Sequence, residues 1–309
     1  KAHHPLEFLV GVANNFGGFY STEFYLHEAK RVGATIEAPC INTSEELCSL
    51  RGTRIFLGLA NVKSLTDETV RLILHARQRN GLFQNLEDLL QRVPLPLEQA
   101  RILVRVGALR FTGRSKPQLL WDLAMLHAGP VRASAMADLF VTKVEEPRLP
   151  ELQHYPLADA YDELDLLGFP LCDPFTLVEY EGEVNGDQRP VNGRSPQSPI
   201  TNHRSPPRIL KREMHRHIGK SVTMLGYMIH VKATNTHSGQ RMTFGSFIDT
   251  AGAFWDSTQF PSVAAQFPFR GRGVYRLVGV VEEEFGHVSL RTQFMEKLPW
   301  KPDPRYGEK

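Results

Sequence analysis

Lys63, Arg105, Arg110, Arg114 and Lys116 lie at the turns of a run of short helices between residues 52 and 127. Cations at helix turns are suited to holding phosphates. A hairpin between two helices presents backbone N–H groups and a helix N-terminus that lack partners inside the helix, and basic side chains beside it hold the next phosphates. Gly107 supplies the turn for the second such hairpin. The same residues also fit a small helical bundle with a solvated basic rim, because charged side chains normally face water. A second candidate group, Asp159, Asp162, Glu163 and Asp165, falls on one amphipathic helix without a second set of ligands. A solvated face is expected there rather than a metal or catalytic group. A third comprises Phe244, Phe247, Phe254, Trp255 and Phe260 near Lys232, Arg241, Arg270 and Arg272. Aromatics and cations in such a mixture suit base stacking beside phosphate contacts, with one or two of the five aromatics facing outward and the rest in a core.

The elements that must position the cations are legible from caps and periodicity. Thr66 is a good N-cap, Asp67 and Glu68 suit a first turn, and Val70, Ile73 and Leu74 repeat at i, i+3, i+4 before Asn80-Gly81 ends the helix. Leu97, Ala100, Leu103 and Val104 form the stripe of the next helix, closed by Gly107. Ser115 caps a third, with Pro117 in an early position that needs no N–H. Upstream, residues 1–39 read as two helices and a short extended run at 34–38, and Asn42-Thr43-Ser44 reads as a cap for a helix over 45–50.

The 309 residues suit two or three domains, and 41% hydrophobic with 23% charged residues is ordinary for core-forming protein. A net charge of +2 is too small to argue for a nucleic-acid partner, so that case rests on local clusters. Cys40, Cys48 and Cys172 stand far apart without a CxxC pair, which points away from a disulfide framework or zinc site and fits a reducing cytoplasm. No apolar run approaches the roughly 20 residues of a membrane span. The chain opens on Lys1 rather than Met and is expected to be a piece of a longer polypeptide.

Beyond Gly129-Pro130, residues 133–140 (ASAMADLF) end in a Leu-Phe pair suited to an apolar groove, and 157–167 form the acidic amphipathic helix. Residues 182–208, rich in Gly, Pro, Ser, Asn and Arg, read as a flexible linker. Its end is basic: Arg204, Arg208, Lys211, Arg212, His215, Arg216, His217 and Lys220. His215 and His217 at i, i+2 point to different sides of a helix, which argues against a shared metal site. Strands are expected over 221–231, 242–250, 253–260, 273–282 and 288–295, with a helical piece near 263–267 between the third and fourth. Five strands with one helix so placed match an OB-fold barrel. The expected class is thus α+β and multidomain.

Several long blocks in order resemble the C-terminal portion of the alpha subunit of bacterial DNA polymerase III, a C-family polymerase. They are KAHHPLEF with NNFGGFYSTEFYLHEAKRVGATIEAPCINTSE, LGLANVKSL with ILVRVGALRFTGRSKPQLL, DAYDELDLLGFPLCDP, and residues 221–298. The resemblance implies an end-of-fingers and connecting segment at 1–51, tandem helix-hairpin-helix motifs at 52–128, and a clamp-binding peptide with a helical segment at 129–181. It further implies an inserted linker at 182–208, an OB domain at 209–299 and a tail at 300–309. The implied partners are duplex and single-stranded DNA, the β sliding clamp and other replicative polymerase subunits, with no membrane. DNA contacts are then expected at Lys63, Arg105, Gly107, Arg110, Arg114, Lys116, Lys232, Arg241, Phe244 and Arg270. The clamp peptide is expected at Met136, Ala137, Asp138, Leu139 and Phe140, where Met136 replaces the family's Gln and weakens the tether.

Ser64 and Thr66 replace glycines usual in the family's first hairpin, which makes the second hairpin the better DNA contact. The family's catalytic aspartates, and the Mg2+ they hold, would precede Lys1, so no catalytic residue or cofactor is assigned to this piece and nucleotidyl transfer belongs to the parent polymerase. The error-prone paralogue of the same subunit is a near alternative, and a non-catalytic interaction scaffold a more distant one.

Overall fold

The computed structural model describes residues 3–15, 20–128, 155–179, 206–236 and 239–306. Two compact units emerge, Lys1–Cys172 with Pro302–Lys309, and Asp173–Lys301. The first begins with α1 (Pro5–Asn14) and α2 (Thr22–Arg31), the latter capped by Ser21, whose Oγ accepts the Phe24 N–H. A small sheet follows, β1 (Thr35–Glu37), β2 (Ser49–Arg51) and β3 (Arg54–Phe56), ordered β1-β3-β2.

Residues 45–50, expected as a helix, instead form a turn leading into β2. The Asn14 amide holds both backbone groups of Cys48, accepting its N–H at 2.8 Å and donating to its carbonyl at 2.9 Å. Leu59 and Ala60 donate their N–H groups to the Glu45 and Glu46 carbonyls. With those groups engaged elsewhere, no i to i−4 ladder can form.

The helices that carry the hairpins are α3 (Asp67–Asn80), α4 (Leu86–Arg92), α5 (Leu97–Arg105) and α6 (Lys116–Ala128), followed by α7 (Pro156–Leu166). Their caps are those the residues dictate. Thr66 Oγ1 accepts the Thr69 N–H at 3.2 Å. At α6, Ser115 Oγ accepts from Gln118 N while Gln118 Oε1 accepts from Ser115 N, a reciprocal box. Val70, Ile73, Leu89, Ala100, Leu103, Val104 and Leu123 bury in one core shared by these helices.

The second unit is a closed five-stranded barrel of β4 (Ser221–Asn235), β5 (Arg241–Ile248), β6 (Phe254–Gln259), β7 (Val274–Glu284) and β8 (His287–Lys297), with α8 (Pro261–Gln266) between β6 and β7. The strand order β4-β5-β6-β8-β7, with β7 closing onto β4, is the OB fold. All five expected strands and the helix are present, each shifted by a few residues at its ends. Phe247 and Trp255 stack at 4.7 Å in the barrel core, fully enclosed with Tyr227 and Tyr275. Among the described residues no helix is long and apolar enough to cross a membrane.

Candidate nucleic-acid interface

The barrel presents one outward row in strict register. Lys232 of β4 pairs with Phe244 of β5, Phe244 with Thr258 of β6, and Thr258 with Arg291 of β8. Side chains on neighbouring strands in such a row share a face. Phe244 is 39% exposed and Lys232 is exposed, whereas Phe247 and Trp255, one pleat over, are buried. The expected division of the aromatics therefore holds, with Phe244 and Phe260 outward. Alongside the row His230 pairs with Ser246, and Ser246 Oγ donates to Asp256 Oδ1 at 2.7 Å. Burial, with a smaller contribution from Lys232, holds the His230 imidazole below its ordinary value, which favours the uncharged ring. Arg241 lines a concavity of about 870 Å³ with Thr243, Gln259, Ala265 and Phe269, and the exposed Arg270 follows Phe269 directly.

One aromatic escaped the sequence reasoning. Phe285 and Gly286 form the two-residue tip of the β7–β8 hairpin, closed by the Glu284–His287 pair, and both take positive φ (51° and 78°). Asn or Asp normally fills the first position of such a turn. A fully exposed Phe held there is unusual, and its signal in the sequence was the Phe-Gly pair between two alternating strand patterns.

The helical unit places its cations differently. Arg105 Nε donates to Asp162 at 3.0 Å and Arg105 Nη2 to Asp165 at 2.8 Å. Lys116 Nζ lies 2.7 Å from Asp159 and 3.6 Å from Asp162. Asp162 is 3% exposed and also accepts from Arg305 Nη1 at 2.9 Å. The acids of α7 are thus not the solvated face expected, because Asp162 is the buried hub of three cations. Burial pulls the Arg105 guanidinium down, but its bonds to Asp165 and Asp162 outweigh that and hold it above its ordinary value. Arg110 donates to the Pro39 and Ala38 carbonyls at 2.7 and 2.8 Å, and Arg114 pairs with Asp122 at 3.0 Å. Gly107 turns the second hairpin with φ 77°, and its N–H goes to Val104.

In the first hairpin Ser64 keeps the left-handed turn at φ 63° despite its side chain. Gln99 braces it, accepting the Thr66 N–H and donating to the Ser64 carbonyl, both at 2.9 Å. The Lys63 N–H goes to Leu166 of α7, while its side chain is exposed and has no ion pair among the described residues. Met136, Ala137, Asp138, Leu139 and Phe140 lie outside the described residues. Among the described residues, no group of three or more His, Cys, Asp or Glu could hold a metal ion.

Residues 33–119, which hold both hairpins, match the model of the helix-hairpin-helix motif. An error-prone DNA polymerase of Mycobacterium tuberculosis is 32% identical over 164 residues, 52% of this chain and 15% of that protein. The DNA polymerase III subunit alpha of Treponema pallidum is 26% identical across 91% of this chain and 24% of its own length. This chain is similar to a part of the C-family DNA polymerases. An error-prone DNA polymerase of Corynebacterium diphtheriae matches across 97% of the chain at 26% identity. The chain spans about a quarter or less of the length of these C-family relatives. Among solved structures, the second OB-fold domain of replication protein A from Methanococcus maripaludis aligns with 26% of the chain and 85% of that domain, at 13% identity and a TM-score of 0.21.

Proposed function

We propose that this chain is the DNA-holding C-terminal portion of the alpha subunit of a bacterial DNA-directed DNA polymerase, working in chromosomal replication in the cytoplasm. Single-stranded template lies on the outer face of the barrel, and duplex backbone meets the helical unit. The observation that carries this is the in-register row Lys232, Phe244, Thr258 and Arg291, an exposed ring with a cation on one side and a hydroxyl on the other. Stacking on an exposed ring tolerates any base, and the flanking charges follow the backbone. The similarity to polymerases over most of the chain supports the same reading.

Within the helical unit, Lys63 is exposed and has no ion pair among the described residues, and duplex contact at Arg105 and Lys116 competes with the carboxylates of α7. The tether to the β sliding clamp is assigned to 136–140 on sequence alone, with the other replicative subunits as further partners. Polymerisation, with its Mg2+, belongs to the palm of the parent protein, so this piece binds without catalysing. The error-prone form of the subunit is the second reading, favoured by the higher identity of the mycobacterial relative. Titration of the chain with single-stranded and primed DNA at two salt concentrations tests the proposal. Phe244→Ala should weaken single-strand binding by about 1 to 3 kcal/mol, with no loss of barrel stability. An interaction scaffold would show no strand-type preference and no effect of Phe244.

A further inference from the structure

The basic stretch that precedes the barrel has no part in the reading above. It folds as a 3-10 turn, Lys211–Arg216, followed by His217 to Lys220, and packs on the barrel through the buried Met214. Its position is fixed by two contacts of Lys211. The Lys211 N–H donates to Asp249 at 2.9 Å, and Lys211 Nζ donates to the Val288 carbonyl at 3.0 Å, three residues past the Phe285 tip. Farther along, Gly219 N–H donates to Val281 and Val281 N–H to Lys220, so the turn runs beside β7.

Lys211 is thereby used up as a structural cation, whereas Arg212, His215, Arg216 and Lys220 are exposed and make no ion pair among the described residues. Three carboxylates of the turn and the adjoining strands are engaged elsewhere. Glu213 accepts the Leu210 N–H at 2.9 Å, and Asp249, 2% exposed, accepts from Lys211, Ala251 and Ala253. Glu282 pairs with Arg291. Glu283 and Glu284 are exposed at the end of β7. Within the turn itself three guanidinium or ammonium groups and an imidazole stand within nine residues, and the one acid among them, Glu213, is engaged by the Leu210 N–H.

We infer that Arg212, Arg216 and Lys220, with Phe285 at the adjacent hairpin tip, form a second contact for single-stranded nucleic acid. They extend the footprint from the Phe244 row past the β7–β8 hairpin onto the turn before the barrel. The phosphates meet the turn, and a base stacks on Phe285, whose left-handed backbone holds the ring out into solvent. Strain of that kind concentrates where a side chain has work to do. The inference rests on the single-strand reading of the barrel.

Fluorescence anisotropy of the full chain on a labelled oligothymidylate, long enough to cross both surfaces, tests it across a salt series. Loss of three phosphate contacts in R212A/R216A/K220A should flatten the slope of log affinity against log salt by about 2, at roughly 0.7 per contact for single strands. R212K/R216K/K220R should restore the slope, and Phe285→Ala should cost about tenfold in affinity. All variants should melt with the parent. An unchanged slope in the alanine variant overturns the inference. If Phe244→Ala leaves affinity intact while the alanine variant loses slope, the barrel-row reading falls and the turn stands. The reverse pattern leaves the row and removes the turn.

Discussion

Replacing Asp162 by Ala removes the carboxylate on which Arg105, Lys116 and Arg305 converge. Two charge-assisted bonds, from Arg105 Nε at 3.0 Å and Arg305 Nη1 at 2.9 Å, are lost outright. Each such bond contributes about 1.5 to 3 kcal/mol. Arg105 and Arg305 are each about a third exposed and keep Asp165 and Asp303 as partners, so rehydration offsets about half of that sum. The three cations left together without a buried counter-charge add to the cost. A loss of about 2 to 4 kcal/mol in the helical unit is expected. Native-state hydrogen exchange of the α5 and α7 amides, with urea unfolding in parallel, reads it. Asp165→Ala is the control, since Asp165 is 63% exposed and its removal should cost under about 1 kcal/mol. A loss below about 1 kcal/mol for Asp162→Ala, or equal losses for the two variants, would refute the buried-hub account.

Neutralising the half-buried Asp159 and the exposed Asp165, in Asp159→Asn with Asp165→Asn, should strengthen duplex binding at low salt by leaving Asp162 as the only carboxylate of the three on Lys116 and Arg105; unchanged affinity would show that this hairpin does not meet DNA. Ser64→Gly should stabilise the helical unit by roughly 0.5 to 1 kcal/mol, because relief of a left-handed Ser exceeds the entropy cost of Gly. A destabilised variant in urea melts would count against strain at that turn. Burial raises the Glu163 carboxyl above its ordinary 4.5, opposed by the Leu171 N–H it accepts. The folded form then holds the proton more tightly than the unfolded one, so the stability it contributes in acid declines as pH rises from 4.5 through the folded value. The stability difference between the parent and Glu163→Gln should track pH in that window, and a constant difference would contradict the assignment. Asp303, lowered by its bond from Arg305, acts in the opposite sense and only in more acid solution.

The helix starts were legible because the residues that make them act locally: Thr66 and Ser115 cap within three residues of themselves. The barrel strands were legible for the same reason, since inward Phe247 and Trp255 alternate with outward Ser246 and Asp256. The fate of the hairpin cations was not. The partners of Arg105 and Lys116 lie on α7, more than forty residues along, and no periodicity links a cation to a distant acid. Residues 45–50 misled because Asn42-Thr43-Ser44 has the composition of a cap, while the Asn14 amide that fixes Cys48 comes from α1. Phe285 went unnoticed although the expected strands, 273–282 and 288–295, left it in the connection between them, because nothing in the sequence marks a lone apolar residue in a turn as exposed.

Photo-crosslinking tests the central claim most directly. A single strand of halogenated pyrimidines, irradiated with the full chain and mapped by mass spectrometry, should attach at Phe244 and its neighbours on β4 to β6. Attachment confined to the helical unit, or to barrel residues away from the Lys232–Phe244 row, would contradict it.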